Sequence, residues 1–85
     1  MKEFKYVIKD EQGIHARPAG LLAKEAKKYS SVCMIEKGGK SVKLSQLMML
    51  MSLGAKQGDL VKVTAEGEDE DTAIAELEKF FNENL

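Results

Sequence analysis

The only histidine of the chain lies in a segment suited to phosphoryl transfer, because His15 is followed by Ala16, Arg17 and Pro18. Proline is tolerated in the first turn of a helix, where a backbone N–H has no intrahelical acceptor. A helix that begins near Arg17 therefore presents unpaired N–H groups and positive dipole character, which bind anions and favour a neutral imidazole. Neutral imidazole keeps a lone pair for nucleophilic attack, and a guanidinium can hold phosphoryl oxygens. The spacing thus allows two interpretations, a phosphoryl acceptor in an anion cradle or a surface histidine beside an ordinary helix start.

A second segment, residues 47–53, indicates a surface for partner proteins. Six of its seven residues are apolar and would surround a short helix on all sides. A small two-layer domain cannot bury both sides of a peripheral helix, so part of Leu47, Met48, Met49 and Met51 should be exposed. Flexible methionine side chains suit a surface that accepts several partners. The alternative is a core helix in which methionine fills gaps.

The elements that must position these residues follow from apolar periodicity. The pattern predicts strands over 2–8, 32–37, 40–44 and 60–65, and helices over 16–29, 46–53 and from about 68 onward. Gly38-Gly39 predicts a tight hairpin, Ser45 is expected to cap the middle helix, and Gly54 is expected to end it. The acidic run 68–71 is interpreted as a solvated first turn, with partner or metal binding as the alternative. The order predicts an α+β domain with three helices on one face of a small, mostly antiparallel sheet.

Composition excludes several classes of function. The 85 residues are enough for one domain, 1–85, and 13 Lys+Arg against 14 Asp+Glu give no attraction to nucleic acid. A single cysteine, Cys33, excludes an internal disulfide or a thiolate zinc site and is expected to be a buried thiol. No apolar run approaches the ~20 residues that span a bilayer, and the N-terminus lacks the apolar core of a signal peptide. We therefore expect a cytoplasmic protein without membrane insertion, metal or cofactor.

Five segments together resemble the HPr family, the histidine-containing phosphocarriers of the bacterial phosphoenolpyruvate:sugar phosphotransferase system. They are Gly-Ile-His-Ala-Arg-Pro-Ala at 13–19, Gly-Lys-Ser-Val at 39–42, Leu-Met-Met-Leu-Met-Ser-Leu-Gly at 47–54, Gln-Gly-Asp at 57–59 and Ala-Glu-Gly-Glu-Asp-Glu at 65–70. The resemblance covers essentially the whole chain, and its His-x-Arg-Pro element is specific enough to favour the phosphoryl acceptor. It implies the βαββαβα open-faced sandwich, with three helices on one face of a four-stranded antiparallel sheet.

The resemblance also implies the roles of the site residues and the partners. His15 would take a phosphoryl group on Nδ1 from phosphorylated enzyme I and pass it to the EIIA domains of sugar permeases. Arg17 would stabilise the phosphohistidine, together with the backbone at the helix start, Ala16 to Pro18. The docking face would comprise Gly20, Lys24, Lys27, Leu47, Met48 and Met51. The chain would then be a monomeric stoichiometric carrier rather than a free-standing catalyst, and its docking face would also be open to transcriptional or metabolic regulators.

Three positions depart from the pattern of the family. Gln46 stands where Gram-positive members carry a regulatory serine, and Ser45, one residue earlier, would point about 100° away if both lay on a helix. Serine phosphorylation is therefore expected to be lost or altered. Met49 enlarges the apolar surface, and Gln12 replaces a frequent Ser, Thr or Asn near the phosphate. Two alternatives stay open: a specialised paralogue serving a nitrogen-regulatory or dihydroxyacetone branch, and a regulatory module that binds partners through the same face.

Overall fold

Seven elements follow in the order strand, helix, strand, strand, helix, strand, helix in a computed structural model, which describes residues Met1–Leu85. The strands are β1 (Lys2–Val7), β2 (Val32–Lys37), β3 (Lys40–Lys43) and β4 (Leu60–Glu66), and the helices are α1 (Ala16–Ala26), α2 (Leu47–Ser52) and α3 (Glu70–Asn84). The predicted order and type of every element are confirmed.

The four strands form one antiparallel sheet in the order β1-β4-β2-β3. Tyr6 of β1 and Ile35 of β2 lie opposite Val61 and Val63 of the central strand β4. Gly38 and Gly39 both have positive φ, 56° and 86°, and turn β2 directly into β3, as a two-residue hairpin requires. The predicted open-faced α+β sandwich is confirmed, since the helices pack on one face of this sheet and the other face is uncovered.

The core lies between the sheet and the helices. Alternate residues of β1 and β4 point inward, as their apolar periodicity predicts. Phe81 of α3 packs edge-to-face against Phe4 and Tyr6, with ring centroids 5.4 and 5.5 Å apart. Cys33 is buried as predicted, and this burial raises the pKa of its thiol.

The two shorter helices differ from their predicted limits. Helix α1 ends at Ala26 rather than at residue 29, because the chain turns there and Tyr29 folds back to donate its hydroxyl hydrogen bond to Glu25, at 2.7 Å. Ser45 does not cap α2. The N-cap position is Gln46, whose carbonyl accepts the Leu50 N–H at 3.0 Å, and no side chain caps the helix.

The acidic run before α3 is more than the solvated first turn that the sequence indicated. Helix α3 begins at Glu70, and the Asp69 carboxylate accepts hydrogen bonds from the Ser30 and Ser31 N–H groups, both at 2.9 Å, and from the Ser31 hydroxyl. Glu70 accepts the Gly67 N–H at 3.2 Å. The Asp69 bonds tie the N-terminus of α3 to the segment that leads into β2, and the Glu70 bond is local to the helix start. No helix of the structure has the length and apolar character to cross a membrane.

Candidate functional site

His15 occupies the N-cap position of α1, with extended backbone dihedral angles. Its side chain is 33% exposed, so a partner protein can reach the imidazole. Its carbonyl already accepts the first helical hydrogen bond, from the Ala19 N–H at 3.0 Å. His15 is therefore placed at the positive end of the helix dipole, as the sequence predicts.

The loop between β1 and α1 is held in place from three directions. Within the loop, the Gly13 N–H donates to the Asp10 carbonyl at 2.9 Å. From the segment after α2, the Ala55 carbonyl accepts the Ile14 N–H at 3.0 Å, and from the end of α3 the Leu85 carbonyl accepts the Asp10 N–H at 2.9 Å. His15 thus lies on a loop that is braced by parts of the fold distant in sequence.

The start of α1 offers unused hydrogen-bond donors beside the imidazole. The N–H groups of Ala16 and Arg17 have no hydrogen-bond acceptor in the structure, and no side chain caps the helix. Pro18 has no N–H and is buried at the third helical position, so it shapes the helix start but donates nothing. The predicted start of α1 is confirmed, and its two free donors can bind an anion.

Arg17 supplies a positively charged side chain at the site. Its side chain is exposed and forms no ion pair with any carboxylate of the chain. The guanidinium is therefore free to bind oxygens of an incoming phosphoryl group, which it matches in geometry. The structure brings together His15, Arg17 and the N-terminus of α1, as the sequence predicts.

A shallow hollow of about 260 Å³ lies over the site, and three of its lining residues were not anticipated. It is lined by Asp10, His15, Arg17, Pro18, Leu21 and Asn84. Leu21 is an exposed apolar residue that lies one turn after Arg17, on the polar face of α1. An apolar residue on a polar helix face is visible in the sequence, so this member of the site could have been predicted. Asn84 comes from the end of α3, and no local pattern connects it to His15.

Asp10 is the carboxylate nearest to the imidazole. Its Oδ1 lies 3.8 Å from His15 Nε2, within ion-pair range but beyond hydrogen-bond range. The same oxygen accepts the Gln12 N–H at 2.8 Å, which gives the loop a local Asx turn. The observed contribution of Gln12 to this site is its backbone N–H, while its side chain is solvent-exposed.

The predicted docking residues are exposed on two adjacent helices. Helix α1 packs against α2, and both Lys24 and Lys27 point to solvent. On α2, Met48 is 76% exposed, while Leu50 is fully buried. The other apolar residues of this helix are also exposed, to a smaller extent: Leu47 39%, Met49 41% and Met51 41%. A Cβ added at Gly20 would meet no atom within 4 Å, so this part of α1 is open to a partner.

Ser45 and Gln46 lie before α2 rather than on it, so their side chains are not related by the helical offset expected from the sequence. Gln46 is solvent-exposed, whereas Ser45 is half-buried in a separate hollow of about 260 Å³. This hollow lies beside the C-terminal end of α1 and includes Lys27, Lys43 and Cys33. No three His, Cys, Asp or Glu side chains lie together in an arrangement that could hold a metal ion.

The fold and the site define a class of protein. An accessible imidazole at a helix N-terminus, with free N–H donors and an unpaired arginine, can accept a phosphoryl group, and the neighbouring apolar face can receive a protein donor. The sequence model for "PTS HPr component phosphorylation site" matches residues 2–83. The chain belongs to the HPr family, the phosphocarrier proteins of the phosphotransferase system.

Individual relatives agree over nearly the full length. The phosphocarrier protein HPr of Mycoplasma genitalium is 40% identical over 85 residues, which are 99% of this chain and 97% of the relative. An HPr structure from Thermoanaerobacter tengcongensis is 46% identical, with a TM-score of 0.88 and complete coverage of both chains. The structure of a Mycoplasma histidine-containing phosphocarrier protein is 36% identical, with a TM-score of 0.94 over 96% of this chain and 93% of the other.

Proposed function

We propose that His15 is the residue of this phosphocarrier that accepts the phosphoryl group from phosphorylated enzyme I and passes it to EIIA domains of sugar permeases. The observation that carries the proposal is the placement of an accessible imidazole next to two N–H groups without acceptors and an arginine without an ion-pair partner. A module that only binds partners has no need of this combination. We therefore favour the carrier over the binding module.

The chemistry follows from these donors. The lone pair of Nδ1 attacks phosphorus, the new N–P bond forms, and the donor keeps the electron pair of the bond that breaks. Phosphoryl transfer passes through a loose transition state with charge spread over three oxygens. The Ala16 and Arg17 N–H groups and the Arg17 guanidinium face this charge and stabilise it. The carrier returns to its starting state when Nδ1 regains its electron pair on transfer to the acceptor.

Donor and acceptor would use one docking face, made of Gly20, Lys24, Lys27, Leu47, Met48 and Met51. Its exposed apolar side chains would be buried when a partner protein binds, and Lys24 and Lys27 attract acidic surfaces. Met49 extends the apolar part. Because one face serves both steps, enzyme I must leave before an EIIA domain, or a regulator that binds there, can approach. We expect the single domain to act as a monomer, although a structure from T. tengcongensis that is 44% identical to this chain is of an HPr dimer.

Regulation through serine phosphorylation is expected to be lost or altered. Gln46 has no hydroxyl group, and Ser45 is half-buried rather than presented on the surface of α2. A kinase that acts on an exposed serine at position 46 would find no acceptor there. This leaves phosphoryl transfer through His15 as the chemistry that we assign to the chain.

Onward transfer tests the carrier function most directly. The protein is charged with phosphoenolpyruvate and enzyme I, separated from both, and mixed with an EIIA domain, and the intact masses of both proteins are followed. We expect this chain to lose one phosphoryl group while the EIIA domain gains one, and we expect His15→Ala to show neither change. Charging without transfer to any sugar-permease EIIA domain would contradict the sugar branch and favour a specialised paralogue.

A further inference from the structure

We infer that Asp10 is a positioning residue for the phosphoryl acceptor, because its carboxylate keeps the proton of His15 on Nε2 and leaves the lone pair on Nδ1. The inference deepens the proposed function and rests on it for its role in transfer. The contact itself is independent of that function, since Asp10 Oδ1 lies 3.8 Å from Nε2 in the structure. Nδ1, on the other side of the ring, is then the nitrogen left for a phosphoryl group.

The loop fixes Asp10 in this place through both its side chain and its backbone. Oδ1 accepts the Gln12 N–H at 2.8 Å, so the carboxylate cannot rotate away without losing that bond. The Asp10 N–H donates to the Leu85 carbonyl, and the Asp10 carbonyl accepts the Gly13 N–H. A carboxylate held in this way acts on the imidazole as part of the rigid loop rather than as a free surface charge.

The charged groups around the imidazole ring then act on different atoms. Arg17 lines the same hollow and is the only other charged side chain there. The carboxylate faces Nε2, whereas the free N–H groups of Ala16 and Arg17 belong to the helix start at which His15 is the N-cap residue. The negative charge therefore acts on the ring proton, and the positive groups act on the phosphoryl oxygens.

A neutral imidazole carries its proton on one nitrogen only, and the group that faces a nitrogen decides which tautomer is present. When Nδ1 attacks phosphorus, its lone pair forms the N–P bond, the donor keeps the electron pair of the broken bond, and the ring becomes positively charged. The negative charge of the Asp10 carboxylate, 3.8 Å from Nε2, stabilises that positive charge electrostatically. When the N–P bond breaks, its electron pair returns to Nδ1, and Nε2 keeps its proton throughout. A carboxylate at this position therefore favours acceptance, and the proton kept on Nε2 allows a neutral imidazole to leave on release.

A conservative substitution separates this role from the structural role of the same side chain. Asp10→Asn retains an oxygen for the Gln12 N–H and removes only the charge, whereas Asp10→Ala removes both. Asp71→Asn is the matched control, since Asp71 is 81% exposed and its one ion pair is with Lys2, at 3.5 Å. Asp71 lies at the start of α3, and Asn84, which lines the hollow, lies at its end, about 20 Å away along the helix.

The experiment measures the tautomer of His15 by long-range ¹H–¹⁵N correlation spectra in mildly alkaline buffer. We expect the parent and Asp71→Asn to show mainly Nε2–H. In Asp10→Asn the ratio of the Nε2–H to the Nδ1–H form should decrease by as much as about fivefold. This is the size of effect expected from a contact between partly exposed charges. The rate of phosphorylation by enzyme I should fall by a similar factor. A parallel loss of rate in Asp71→Asn would overturn a specific role for Asp10.

Other outcomes separate this inference from the phosphocarrier assignment. An unchanged tautomer ratio in folded Asp10→Asn would overturn the inference, and so would faster phosphorylation, which would mean that the carboxylate mainly repels phosphate. A shifted ratio in a protein that enzyme I never phosphorylates would support the positioning by Asp10 and contradict the proposed function. Asp10→Ala shows the added effect of losing the Gln12 bond, and a folded Asp10→Asn keeps the test valid if Asp10→Ala unfolds.

Discussion

At the scale of single residues, the placement of His15 depends on a glycine two positions earlier. Gly13 has a φ of 66°, in the left-handed region that other residues adopt at a cost of about 1–2 kcal/mol. A Cβ at this position would lie 2.3 Å from the Ala55 carbonyl oxygen, and that same oxygen accepts the Ile14 N–H. The close approach of the backbone at Gly13 to the backbone at Ala55 therefore helps to hold the loop between β1 and α1, which leads to His15, in place.

We predict that Gly13→Ala lowers the free energy of unfolding by about 2–4 kcal/mol, because backbone strain and a backbone clash add together. Urea denaturation measures the change, and a slower phosphorylation of the remaining folded protein should accompany it. Gly20→Ala is the matched control. Gly20 is helical with open space around it, so alanine there should stabilise the protein by about 0.5–1 kcal/mol. Equal stability of Gly13→Ala and the parent would show that the loop does not need this conformation.

The parts of the site that the sequence predicts are those encoded within a few residues of one another. His15, Arg17 and Pro18 lie within the first turn of one helix, so local rules for helix starts were enough to bring them together. Asp10 carries no local signal of a role at the site, because its approach to the imidazole depends on the conformation of the turn from Asp10 to Gly13. Asn84 reaches the hollow from the far end of the chain, which no local pattern reveals.

At the scale of elements, α2 turns one side to the core and leaves the rest to solvent. Leu50 is fully buried, while Met48 is 76% exposed. A helix of only six residues gains little stability from its own backbone hydrogen bonds, so packing through its buried side must hold it in place. Its exposed methionines are therefore free to change without loss of the fold, and they are available to a partner.

We predict that Met48→Glu weakens binding of enzyme I by about tenfold or more, since a charge replaces an apolar side chain at the centre of the proposed docking face. Leu60→Glu is the control, because Leu60 is also an exposed apolar residue, 54%, but lies on a strand of the sheet. Calorimetric titration with enzyme I measures both. Equal weakening by the two variants, or none by Met48→Glu, would contradict the proposed docking face.

Element boundaries show where local patterns are insufficient. The apolar spacing of α1 continues to Tyr29, but the helix ends at Ala26, since a tertiary arrangement places the Tyr29 hydroxyl on Glu25. Gly38-Gly39, in contrast, gave the correct hairpin, because positive φ at both positions is a local requirement that glycine satisfies. Strand periodicity was equally reliable, since alternate burial is imposed by the strand itself.

At the scale of the whole molecule, Asp69 joins the last helix to the segment before β2. It accepts hydrogen bonds from Ser30 and Ser31, 39 and 38 residues earlier in the chain. The Ser31 hydroxyl, followed by the backbone N–H groups, holds the pKa of this carboxyl below its ordinary value of 3.8. Such a long-range link has no signal in the sequence, where the acidic run has the composition of a solvated helix start.

The lowered pKa predicts how stability depends on pH. The ionised form of Asp69 is favoured in the folded state, so its contribution is complete above the unfolded pKa near 3.8 and is lost as the pH falls through the lower folded value. Asp69→Asn should therefore lower Tm at neutral pH, on the order of 5 °C, and the difference from the parent should shrink below about pH 4. Thermal unfolding at several pH values measures this. Asp71→Asn should change Tm little, and a pH-independent deficit in Asp69→Asn would contradict the assignment of this carboxylate.

The measurement that tests the central claim most directly is the intact mass of the protein after incubation with phosphoenolpyruvate and enzyme I. We predict a gain of one phosphoryl group that is lost in acid, as expected of a phosphohistidine, and no gain in His15→Ala, which should keep its fold because His15 lies at a helix start outside the core. Phosphorylation of folded His15→Ala, or an acid-stable product in the parent, would contradict His15 as the acceptor. No gain at all with a competent enzyme I would contradict the proposed donor.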